Sequence, residues 1–79
     1  MNIRILGTGC KKCQVLHRNV EEAVGELDLQ ADIEKVEDIM EIMKYNVIST
    51  PGLMINEDVV SSGRVLTVKQ IKELLTKNQ

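Results

Sequence analysis

The succession of apolar runs, turns and periodic segments predicts an α/β fold: one four-stranded mixed sheet flanked by three helices, in the order β-α-β-α-β-β-α. Three features carry this expectation. A short apolar run (Ile3, Ile5, Leu6) passes through Gly7-Thr8-Gly9 into a helical pattern and then into a second alternating run, which is a β-α-β unit with an obligatory right-handed parallel crossover. Two later runs are separated by Asn56-Glu57-Asp58 and read as a hairpin. The chain then closes on a third helical pattern.

Residues 2–7 form a short buried strand before the Gly-rich turn. From Cys13 onward, Leu16, Val20, Ala23, Val24 and Leu27 recur at three- and four-residue steps while Arg18, Asn19, Glu21, Glu22 and Glu26 fall elsewhere, so one face of this helix is core. Residues 30–36 alternate, with Ala31 and Ile33 against Asp32 and Glu34, which suits an outer strand. Glu37 and Asp38 lead a second, short helix ending near Tyr45-Asn46, with Ile39, Ile42 and Met43 as its expected inward stripe. After the run from Val47 to Gly52, Leu53-Met54-Ile55 is a central strand and Val59-Val60 its hairpin partner, broken at Gly63. Thr67-x-x-Gln70 is a capping box for the last helix, which packs Val68, Ile71, Leu74 and Leu75.

The 79 residues make one domain, 1–79, with no internal repeat or linker. Hydrophobic residues are 43% and charged residues 28%, with no run long enough for a membrane span. The first residues lack the apolar core and cleavage site of a signal peptide and are better used as a strand, so a cytoplasmic, monomeric protein is expected. A net charge of −2 with interspersed signs gives no basic stripe, and a lone aromatic residue, Tyr45, makes no base-stacking platform. Nucleic acid is excluded as a partner on these grounds.

Cys10-Lys11-Lys12-Cys13 holds both cysteines of the chain. If the helix starts at or just after Cys10, the two lie at i and i+3 on one face, near enough for a disulfide. A bridge over two residues closes almost no loop, and the cytosol keeps ordinary thiols reduced, so the pair points to redox chemistry rather than to a structural staple. At a helix N-terminus the free N–H groups and the positive end of the dipole favour an anion, which makes Cys10 the candidate nucleophile. Lys11 and Lys12 add positive charge there as secondary pKa-tuning groups. His17 lies four residues after Cys13, where it could serve as a base or as a zinc-binding neighbour, or stand as a solvated surface residue. Gly7-Thr8-Gly9 does not complete a dinucleotide fingerprint, because Lys12 occupies the place of the third glycine.

The element order, with Cys-x-x-Cys after the first strand and Thr50-Pro51 before the third, resembles the thioredoxin fold. The Gly-Thr-Gly-Cys-Lys-Lys-Cys form is similar to the small thioredoxin-like (glutaredoxin-like) redox-active disulfide proteins of archaea and bacteria. The resemblance covers nearly the whole chain. It implies Cys10 as attacking thiolate, Cys13 as resolving thiol, Pro51 as a cis-proline facing the pair, and Thr50 as a residue presenting backbone to an extended substrate. There are departures. Typical thioredoxins carry Trp before the first cysteine and Gly-Pro between the two, where this chain has Gly9 and Lys11-Lys12. Lys12, Thr50 and Arg64-Val65-Leu66 stand where glutaredoxins usually carry Tyr, Val and acidic glutathione contacts. The first strand holds no counterpart of the buried acid that assists the resolving cysteine in thioredoxins.

Two classes of function follow. In the first, the dithiol reduces disulfides of proteins or small molecules, needs no cofactor or metal of its own, and is recharged by a thioredoxin reductase-like flavoprotein or another dithiol donor. In the second, the same two thiolates carry Cu(I) or Zn(II). Metal-binding domains with this motif run β-α-β-β-α-β, whereas this chain closes with a helix and places a proline opposite its thiols, which favours the redox class.

Overall fold

The computed structural model describes residues 1–47 and 49–77. Seven elements follow one another: β1 (Asn2–Leu6), α1 (Lys11–Glu26), β2 (Asp32–Val36), α2 (Ile39–Lys44), β3 (Gly52–Ile55), β4 (Asp58–Ser62) and α3 (Val68–Lys77). This is the expected order. Ile48, in the run leading to Pro51, lies outside the described residues.

The strands form a single sheet in the order β2-β1-β3-β4. β1 runs parallel to β2 and antiparallel to β3, and β3 pairs antiparallel with β4. β2 therefore has one strand neighbour, in keeping with its alternating, half-polar sequence. β3 sits inside the sheet and is buried at every position, Gly52–Ile55.

Side-chain alternation divides the apolar residues between the two sheet faces. Ile3, Ile5, Leu53 and Ile55 point to one face and pack with Leu16, Val20 and Ala23 of α1 and Ile71 and Leu75 of α3. Leu6, Val36 and Met54 point to the other and pack with Ile42 and Val47, with Tyr45 at the margin. Tyr45 is thus a core-edge residue, and the Arg4 guanidinium stands 5.5 Å from its ring centroid.

Caps set the helix boundaries. Asp38 Oδ1 accepts from the Met40 N–H at 2.9 Å and opens α2. The capping box at α3 is formed as the sequence implies: the Gln70 N–H donates to Thr67 Oγ1 at 3.2 Å and the Thr67 N–H to Gln70 Oε1 at 3.0 Å. Asn19 Nδ2 donates to the Leu66 carbonyl at 2.9 Å, holding α1 against the segment that leads into α3.

One expectation is corrected. Of the stripe Ile39, Ile42 and Met43, only Ile42 is buried, at 2% exposure, whereas Ile39 is 61% and Met43 64% exposed. Six residues are fewer than two turns. One inward position is enough to seat so short a helix on Leu6, Val36 and Met54, and Ile39 three residues before it and Met43 just after it face solvent. Ile42→Ala should therefore cost about 2–5 kcal/mol, while Met43→Gln should change stability by less than about 0.5 kcal/mol. Urea denaturation of both variants checks this, and equal losses would place Met43 in the core.

Candidate functional site

The register of β1 gathers the site. Leu6 pairs with Val36 on one side and with Gly52 on the other. The segments after β1, after β2 and before β3 therefore emerge at one edge of the sheet, around Gly7. The Gly7 N–H extends the parallel ladder by donating to the Val36 carbonyl at 2.9 Å. Gly9, at φ +84°, then turns the chain into the helix through the left-handed region that glycine adopts at no steric cost.

Cys10 is the N-cap of α1, in extended conformation. Its Sγ accepts from the Cys13 N–H at 3.2 Å, the position an N-cap oxygen usually fills. Cys10 is exposed and Cys13 is buried, and both are free thiols. Their acidities move in opposite directions. Hydrogen bonds from the Cys13 side chain and then from its backbone N–H bring the Cys10 thiol below the ordinary 9.0, with further help from the backbone at Lys12. Burial pushes the Cys13 thiol above 9.0, followed by its hydrogen bond to Cys10 and by the Cys10 charge. Cys10 is therefore the sulfur that ionises first.

Lys11 and Lys12 are exposed, and their ammonium groups are not among the leading causes of either shift; Lys12 acts on Cys10 through its backbone instead. His17 is half-buried on α1, with Nδ1 2.9 Å from Glu21 Oε1. It is likewise absent from those causes.

The Thr50-Pro51 bond is cis. Pro51 is fully buried, and its carbonyl accepts from the Gly63 N–H at 2.9 Å, fixing the start of β3 to the end of β4. Thr50 is exposed. Cys13 and Pro51 both approach Gly7: a Cβ built there would collide with Cys13 Sγ and stand 3.2 Å from Cys13 Cβ and 4.0 Å from Pro51 Cα. Cys10, Cys13 and Pro51 thus lie in one region around Gly7.

Two openings share Thr8 on their walls. On the α1 side, a cleft of about 380 Å³ is lined by Cys13, His17, Thr8 and Gln14 together with Lys35 and Glu37 from the β2 end. On the α2 side, a groove of about 500 Å³ runs between Thr8 and Thr50 along Ile39, Ile42 and Met43, without a charged residue. Lys35 and Glu37 were not legible as site residues, because the pairing of β2 with β1 brings them there. Gly7 did carry a signal, since a glycine at a strand end marks close approach of another group. Among the described residues no cluster of three or more His, Cys, Asp or Glu could hold a metal ion, and no helix is long and apolar enough to cross a membrane.

The family model described as Thioredoxin domain matches residues 1–76. The chain belongs to the thioredoxin family. It is 38% identical over 76 residues to a protein named Thioredoxin from Methanothermobacter thermautotrophicus, covering 96% of this chain and 99% of that one. It is 45% identical over 73 residues to a protein of the same name from Methanocaldococcus jannaschii, covering 92% of this chain and 84% of that one. The shared fold is consistent with the mixed sheet and three helices described above.

Gly7→Ala tests the packing of this thioredoxin-family site directly. The added methyl group should displace Cys13, lower the stability of the reduced protein by about 1–3 kcal/mol, and slow closure of the Cys10–Cys13 bond by an added small-molecule disulfide. Denaturation and closure kinetics check both effects, and normal closure in Gly7→Ala would show that Cys13 does not rest on Gly7.

Proposed function

We propose that this protein is a thiol–disulfide oxidoreductase that reduces disulfides through Cys10 and Cys13. The observation that carries the reading is the asymmetry of the pair: an exposed Cys10 whose Sγ accepts the Cys13 N–H, above a buried Cys13. A thiolate is the attacking species in exchange, and a solvent-facing sulfur held below the ordinary thiol value is the one ready to attack. Cys10 Sγ bonds to one sulfur of the target disulfide and the other sulfur leaves as a thiolate. Cys13 then attacks Cys10 Sγ, the substrate departs with the electron pair of the mixed disulfide, and the protein keeps a Cys10–Cys13 bond. The naming of both relatives as thioredoxins supports the same chemistry.

Thr50 and Pro51 are the substrate-binding residues of this reading. Thr50 lies exposed beside the site and shares the uncharged groove with Ile39 and Met43. Exposed methionine and isoleucine side chains are adaptable apolar contacts, which favours protein disulfides as substrates over small charged ones. The electrons come from a flavoprotein reductase or another dithiol donor in the cytoplasm, the protein acts as a monomer, and it needs no resident cofactor. A Cu(I) or Zn(II) carrier would use the same two thiolates, but neither the relatives nor the closing helix supports that role.

The purified protein should accelerate reduction of a protein disulfide by a dithiol reductant at catalytic amounts, and Cys13→Ser should accumulate the mixed disulfide, because intramolecular attack is what releases it. Mass spectrometry of the trapped adduct and turnover assays check this. Transfer of Cu(I) or Zn(II) to an acceptor with no exchange activity would establish the carrier role instead.

A further inference from the structure

Resolution of a mixed disulfide makes a demand that the two cysteines do not meet by themselves. With Cys10 Sγ bonded to substrate, Cys13 must lose its proton before it can attack, yet burial holds that proton on. A group with access to Cys13 has to accept it.

Cys13 lines the cleft beside α1, and the charged or titratable side chains that line the cleft with it are His17, Lys35 and Glu37. Lys35 is a cation and has no lone pair to offer. Glu37 follows β2 and its Oε2 lies 3.8 Å from where a Cβ of Gly9 would stand, toward the Cys10 end of the loop. Carboxylates are in any case weaker bases than imidazoles. His17 is placed differently. It stands one turn after Cys13 on the same helix, and helical side chains lean toward the N-terminal turn, which here is the turn that carries Cys13.

The hydrogen bond of His17 sets its state. Glu21 Oε1 lies 2.9 Å from Nδ1, and a carboxylate accepts but does not donate. A neutral His17 therefore carries its proton on Nδ1 and keeps the lone pair on Nε2. The cleft is large enough and polar enough, with Thr8 and Gln14 on its wall, for water to relay a proton where direct contact falls short.

We propose that His17, oriented by Glu21, accepts the Cys13 proton in the resolving step. The assignment rests on the dithiol chemistry proposed above. The proton passes from Cys13 Sγ to His17 Nε2, the Cys13 thiolate bonds to Cys10 Sγ, and the bond from Cys10 to the substrate sulfur breaks. The substrate leaves as a thiolate, and the imidazolium gives its proton to that thiolate or to solvent. No further oxidant or reductant enters the step.

An aromatic disulfide that releases a coloured thiolate at each step separates the two events in a stopped-flow experiment: the first phase reports attack by Cys10 and the second attack by Cys13. In His17→Gln the second phase should slow by about tenfold or more near pH 7 with the first unchanged. Between about pH 7 and 9 the second phase of the variant should rise about tenfold per pH unit, following ionisation of the Cys13 thiol alone, while the wild-type profile is flatter. Glu21→Gln should slow the second phase by a smaller factor, and Glu37→Gln should leave it unchanged. An unchanged second phase in His17→Gln, an equal slowing of both phases, or a loss in Glu37→Gln that His17→Gln does not show would each overturn the assignment. A wild-type protein with no first phase would overturn the dithiol reading itself, and the acceptor with it.

Discussion

The double pairing of Leu6, with Val36 on one side and Gly52 on the other, is the constraint on which the rest of the site depends. Because β1 lies between a parallel and an antiparallel neighbour, three segments remote in sequence come together at Gly7: the helix start with both cysteines, the segment after β2, and the cis-proline before β3. The missing side chain of Gly7 then lets Cys13 settle against the backbone with Pro51 beside it. A change of one residue in the β1–β3 register would turn Leu6 to the opposite face and move Pro51 away from Cys13. The apolar residues on both faces guard against that, since Ile3 and Ile5 fit only with α1 and α3 and Leu6 only with α2.

From this packing follows the difference between the thiols. Cys10 keeps the exposed capping position and is stabilised as an anion by hydrogen bonds from Cys13, while Cys13, seated below it, is deprived of solvent and pushed the other way. The lysines between them are a visible feature of the sequence, but a solvated ammonium is screened over short distances, and a directed N–H at 3.2 Å outweighs it. The same burial that shields Cys13 from solvent also raises its thiol, and the cleft lined by Cys13 and His17 is where that sulfur stays within reach of other side chains.

Much of this was legible in the sequence because it is encoded locally. The Cys-x-x-Cys spacing, the Thr67-x-x-Gln70 box, the hairpin turn and the α1 period each depend on residues a few positions apart, and each is found where it was expected. Thr50-Pro51 was readable only through the resemblance, since the two residues by themselves do not determine the isomer of the bond. The reading of α2 failed because a three- and four-residue apolar pattern defines a buried face only when the helix is long enough to need one, and Ile39 and Met43 instead border the groove beside Thr50. Lys35 and Glu37 could not be foreseen at the cleft, because strand pairing rather than local sequence brings them there. His17 was visible as a neighbour of Cys13, but its Glu21 partner gave it a defined state only in three dimensions.

One helix start moves the acidities of its two cysteines in opposite directions, and ultraviolet titration of thiolate absorbance in the reduced protein tests this most directly. Two separated steps are expected. The first lies below the ordinary thiol value of 9.0 and disappears in Cys10→Ala; the second lies above it and disappears in Cys13→Ala. A single step at the ordinary value, or a lower step that persists without Cys10 and vanishes without Cys13, would contradict it.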